Sequence, residues 1–167
     1  MKMTDWRWWI CLLVFLVGCT PEYNWREVEV ADGRAKLAFP ARVQTDQRAV
    51  SLGGNKLPFH LTSASVNDAV FAVGYMKGPD NMGEAEASQV VRDLVNSLAA
   101  RAGKRAPDAA YDSKVFELEA VVAGRPSRML ARVLVHRGMV IQVVASGPSS
   151  VLSQEHANEF MRSLRLL

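Results

Sequence analysis

Residues 115–146 read VFELEAVVAGRPSRMLARVLVHRGMVIQVVAS. In the first eight, Phe116, Leu118, Ala120 and Val122 alternate with Glu117 and Glu119. That period of two marks a strand with one buried face. Gly124-Arg125 reads as a two-residue type II′ turn with glycine first. Folding the chain there sets Phe116 against Val133, Leu118 against Ala131 and Ala120 against Met129. Glu117 then lands opposite Arg132 as a cross-strand ion pair. A slip of one residue would carry Glu117 into the apolar set, so the alternation specifies the register. After Arg137-Gly138 comes Met139 to Ala145, apolar on both faces except at Gln142. Such a strand belongs in the middle of a sheet covered on both sides.

Working outward, the pattern changes upstream. From Gly83 to Ala102 the apolar residues Val91, Leu94, Val95, Leu98 and Ala102 recur three and four apart. This is one stripe of an amphipathic helix, and Gly103 ends it. Residues 104–111, with Pro107, read as a polar connection. Further upstream the chain reads as strands: Trp25 to Val30, Ala35 to Phe39 after an Asp32-Gly33 turn, Val43 to Leu52, Lys56 to Ser65 beyond Gly53-Gly54-Asn55, and Ala69 to Met76. Pro40 stops the second of these. Downstream, Ser153 caps a last helix, with His156 three residues on and Ala157, Phe160, Met161 and Leu164 on its apolar face. Seven or eight strands joined mostly by hairpins, with two helices, define an α+β class. The sheet is expected to be mostly antiparallel, and helices on both of its faces would suit the doubly apolar central strand.

The chain opens MKMTDWRWWICLLVFLVGC. Lys2 and Arg7 precede an apolar run from Trp8 to Val17. Ten residues rise about 15 Å as a helix, against roughly 30 Å of bilayer hydrocarbon, so the run is a signal-peptide core rather than a span. Leu16-Val17-Gly18-Cys19 resembles the lipobox of bacterial lipoproteins. The resemblance implies a lipid on the Cys19 thiol and removal of residues 1–18. Small Gly18 leaves the backbone open to a peptidase, and two or three acyl chains hold a domain on a bilayer almost permanently. The expected organisation is a signal peptide at 1–18, a lipidated tether at 19–24 and one domain at 25–167. The alternative is an uncleaved N-terminal membrane anchor. In familiar Gram-negative envelopes an Asp after the cysteine retains lipoproteins in the inner membrane. Thr20 therefore points to the outer membrane, with the domain facing the periplasm.

Without residues 1–18 the chain has 18 basic and 16 acidic side chains, a formal charge of +2. The basic residues form no run, so the chain is not expected to bind nucleic acid. Cys11 leaves with the signal and Cys19 carries lipid, so no disulfide or thiolate metal site is expected.

Three stretches resemble the PsbP/Mog fold of bacterial lipoproteins, a group that includes DcrB-like proteins. DGRAKLAFPARV (32–43) is similar to its opening, GRPSRMLARVLVHRGMVIQVVAS (124–146) to its late hairpin and ANEFMRSLRLL (157–167) to its ending. Leu164 stands where the family has Phe, and Ala35-Lys36-Leu37 replaces a more aromatic opening. The resemblance implies an α/β/α sandwich and non-catalytic binding or assembly roles. Its motifs are turns and core faces, and it places no ligand-binding residue here.

Candidate chemistry is sparse. His60, His136 and His156 fall on a strand, a turn and a helix, and only His156 has carboxylates close by, at Glu155 and Glu159. A solvated helix face accounts for that group better than a metal site. Glu117 and Glu119 are a conceivable acid–base pair, but structural ion pairs with Arg128 and Arg132 are the better reading. The same pairing is preferred over an anion site at Arg128 and Arg132. No Gly-x-Ser-x-Gly elbow occurs, and Ser146-Gly147-Pro148-Ser149-Ser150 reads as a loop. Ser51-Leu52-Gly53-Gly54-Asn55 joins two strands, so it offers no helix N-terminus to a phosphate. The sequence thus predicts a lipid-anchored binding or assembly module of the envelope, with no cofactor, no enzymatic activity and an envelope protein as partner. An envelope enzyme with an unrecognised site is the alternative.

Overall fold

The computed structural model describes residues 22–52, 55–78 and 82–167. The signal segment, Cys19, Thr20 and the Gly53-Gly54 turn lie outside them. Strands β1 (Arg26–Val30) and β2 (Ala35–Phe39) form a hairpin, which the two-residue strand β9 (Arg165–Leu166) extends on the β2 side. A second sheet holds β3 (Gln44–Leu52), β4 (Asn55–Val66), β5 (Ala69–Lys77), β6 (Phe116–Val122), β7 (Arg125–His136) and β8 (Met139–Pro148). Its order is β3-β4-β5-β8-β7-β6, and every neighbouring pair is antiparallel. Helix α1 (Glu84–Arg101) and a short 3-10 helix (Asp108–Asp112) carry the chain from β5 to the far edge at β6. From that edge the chain returns inward, so β8 closes the sheet against β5. Helix α2 (Gln154–Arg162) follows.

The expected three layers are present. Helix α1 covers one face of the large sheet. On the other face α2 shares the layer with the β1-β2-β9 sheet, so that layer is part helix and part strand. Strand β8 is central as read: Val140, Ile141, Val143 and Ala145 are all buried. Helix α1 buries Val91, Val95 and Leu98, with Leu94 and Ala102 half-covered, and adds Val90 and Ala99 to the expected stripe. It ends in a Schellman arrangement. Gly103 sits at φ +65, its N–H donates to the Ala100 carbonyl at 3.0 Å, and the Lys104 N–H donates to the Ala99 carbonyl at 2.9 Å. Ser153 caps α2: its hydroxyl oxygen accepts from the His156 N–H at 3.1 Å.

One register expectation is corrected. The β6–β7 turn is Ala123-Gly124, not Gly124-Arg125, and both residues have positive φ, 48 and 76. Two left-handed residues make a type I′ turn, whose twist matches that of the strands better than an ordinary type I turn. Phe116 therefore faces Ala131, Leu118 faces Met129 and Ala120 faces Ser127. Each partner moves by two residues, one full pleat, so every side chain keeps its predicted face. Arg137-Gly138, with φ 46 and 75, turns β7 into β8 by the same device.

The larger core lies between the large sheet and the mixed layer. Phe160 of α2 meets Phe39 of β2 and Phe71 of β5, each at 5.3 Å and edge to face. All three rings are fully buried. Such pairs are worth about 0.5–1.5 kcal/mol beyond the area they bury.

Candidate functional site

The three histidines do not meet. His60 stacks on Tyr75 at 5.1 Å. The His136 ring Nε2 lies 3.0 Å from the Leu167 carbonyl oxygen. His156 stacks on Tyr23 at 3.7 Å. Among the described residues no three His, Cys, Asp or Glu side chains converge. The structure brings the predicted acidic and basic residues together differently from the sequence reading. Glu117 is opposite Leu130, not Arg132. Its carboxylate lies 3.7 Å from Arg128 and accepts from Gln154 Nε2 at 3.4 Å, while Arg128 donates to Gln154 Oε1 at 2.7 Å. This triad ties the edge hairpin to α2. Glu119 is directly opposite Arg128 in the ladder. Arg132 donates instead to the Ser113 carbonyl at 2.8 Å. The relocated turn is the cause, because the expected Glu117–Arg132 pairing required the later hinge.

Three groups have displaced pKa values. Burial raises the Tyr23 phenol above 10.0, and the Glu22 carboxylate adds to it. Burial also raises Tyr75, with Asp32 adding. The hydrogen bond from Arg48 holds Asp46 below the usual carboxylate range, helped by the Gln47 N–H and the Arg48 charge.

Two recesses lie on the α1 face, for a geometric reason. Six strands at about 4.8 Å spacing are about 24 Å across, while one helix is about 10–12 Å wide. Flanks of the sheet stay uncovered on either side of α1. Toward β6, at the C-terminal end of α1, a cavity of about 390 Å³ is lined by Val70, Ala102, Leu118, Ala120, Val122 and Met129. Arg101, Arg125, Arg128 and Asp68 border it. Asp68 and Arg125 are bound to each other at 3.0 Å. Toward β3, a cavity of about 340 Å³ is lined by Phe59, Leu61, Met76 and Leu94 with Arg48 and Gln142. Phe59 lies directly over Gly74, where an added Cβ would come within 2.1 Å of the ring. Glycine is what lets the aromatic ring line this recess.

Sequence reasoning did not find the first cavity, since its walls come from β5, α1, β6, β7 and β8. One signal was available. Val121 and Val122 are consecutive, so one of them must point away from the apolar face of β6. They are 73% and 59% exposed.

The fold and recesses define an antiparallel α+β sandwich with an apolar groove beside its crossover helix. No protein family and no curated protein matches the chain. Among solved structures, it is similar to the solution structure of cyanobacterial PsbP (CyanoP) from Synechocystis. Identity is 11% and the TM-score 0.47, over 90% of this chain and 96% of that one.

Proposed function

We propose that the protein is a lipid-anchored, non-catalytic binding or assembly module of a bacterial cell envelope, related to the PsbP/Mog group. The observation that carries the non-catalytic reading is the chemistry of the groove beside α1. Its floor is mostly apolar, and of the four charged groups around it Asp68 and Arg125 neutralise each other while Arg128 is held by Glu117 and Gln154. General acid–base or nucleophilic work calls for several polar groups converging on one point, whereas Asp68, Arg125 and Arg128 are taken up in ion pairs. The anchoring rests on Leu16-Val17-Gly18-Cys19. Thr20 favours the outer membrane, with the domain in the periplasm and an envelope protein as partner.

Metabolic labelling with an alkyne fatty acid tests the anchor. The wild-type chain takes the label and fractionates with membranes, and Cys19→Ser does neither. Unchanged label and fractionation in Cys19→Ser would contradict it. Recovery with inner-membrane markers alone on a sucrose gradient would overturn the outer-membrane assignment.

A further inference from the structure

We propose that the β6–β7 hairpin tip, Val121-Val122-Ala123-Gly124, is a second contact with the lipid bilayer. The proposal rests on the anchoring of Cys19 and fixes which end of the domain faces the membrane. The chain enters the domain at one defined place. Asn67 Nδ2, in the β4–β5 turn, donates to the Glu22 carboxylate. Beyond Glu22 the entry is clamped: the Tyr23 ring stacks on His156 at 3.7 Å, and the Asn24 N–H donates to the Pro40 carbonyl at 2.7 Å. Cys19 is three residues from Glu22, a covalent reach of at most about 11 Å.

The same turn leads directly to the hairpin. Asp68 follows Asn67 and binds Arg125 at 3.0 Å. Arg125 is the ladder partner of Val122. A bilayer holding the lipid on Cys19 therefore lies within reach of the two valines. Their exposures of 73% and 59% are the largest of any large hydrophobic residue among the described ones. Arg101 and Lys104, in the recesses beside them, add cations, with Glu119 the one carboxylate bordering the Lys104 recess. Apolar residues at the tip of a rigid hairpin with cations behind suit an interface that is oily below and anionic above.

The test uses the full lipidated protein, reconstituted into phosphatidylethanolamine–phosphatidylglycerol vesicles. Single cysteines replace Val121, Val122 or, as a control, exposed Lys56, and carry an environment-sensitive fluorophore. Lys56 lies near the start of β4, ten residues from its end at Val66, roughly 33 Å from the membrane-side turn. Positions 121 and 122 should show blue-shifted emission and lose intensity when the vesicles contain doxyl-labelled lipid, and position 56 should do neither. Because the replaced side chains are exposed, the domain keeps its fold, which circular dichroism of the same samples verifies. Fatty-acid label on Cys19 with no quenching at 121 and 122 overturns the proposal while the anchoring stands. Equal quenching at all three positions also overturns it, since the domain then has no preferred end. An absence of label on Cys19 overturns both.

Discussion

The two faces of the six-stranded sheet are built to different standards. One is closed by a mixed layer of two strands, a third short strand and a helix, wide enough to seal it around Phe39, Phe71 and Phe160. The other is covered by α1 and the short 3-10 helix that follows it, which leave cavities of about 390 and 340 Å³ on its flanks. A sheet covered by a layer of its own width gains a continuous core. A sheet covered mainly by one helix gains two smaller apolar clusters and keeps recesses beside that helix. The closed face is the more continuously packed of the two, and the open face keeps recesses on its flanks.

Breaking the closed face should cost most. Phe160→Ala removes the ring shared by two aromatic contacts and should lose about 3–5 kcal/mol. A domain of this size has about 5–15 kcal/mol in total, so the urea midpoint should fall steeply. On the open face, Leu118→Ala should lose about 2 kcal/mol, the low end for such truncations, because Leu118 already borders a cavity that can relax. Equal losses at the two positions would mean that the faces are equally well packed. Ser153→Ala removes the α2 cap and should cost about 1 kcal/mol by thermal melting. Glu117→Ala, one residue from Leu118, should cost under about 1 kcal/mol, since its ion pair with Arg128 is partly solvated. A loss at Glu117 as large as at Leu118 would refute the one-faced reading of β6.

The smallest effect is in pH. The Tyr23 and Tyr75 phenols titrate above 10.0 in the folded chain. The native state then holds these protons more tightly than the unfolded one, so their contribution is complete below pH 10 and is lost as pH rises through the folded values. Tyr23→Phe should flatten the alkaline limb of a stability–pH curve and leave its neutral part in place.

Helix α1 and strands β6 and β8 were legible in the sequence, because they carry clear periods of 3.6 and 2; the difference between the two faces was not. The β6–β7 turn was misplaced by one residue because Ala123 gives no chemical sign that it adopts positive φ. Strand β9 was not anticipated. Its Leu166 pairs with Ala35 across most of the chain length, and two residues are too few to show a period. The groove beside α1 was illegible for a related reason. Its walls come from five elements, and only the width mismatch between helix and sheet, visible once the strands are counted in space, requires it. The exposed Val122 at its edge was the local trace it left.

The central claim is that this sandwich is held to a bilayer at the end where Glu22 enters it, and intact-mass measurement of the detergent-extracted protein tests it most directly. The account predicts a chain that begins at Cys19 and carries a diacylglyceryl group, with that added mass absent from Cys19→Ser. A wild-type chain that retains residues 1–18 and shows no added mass at Cys19 would contradict it.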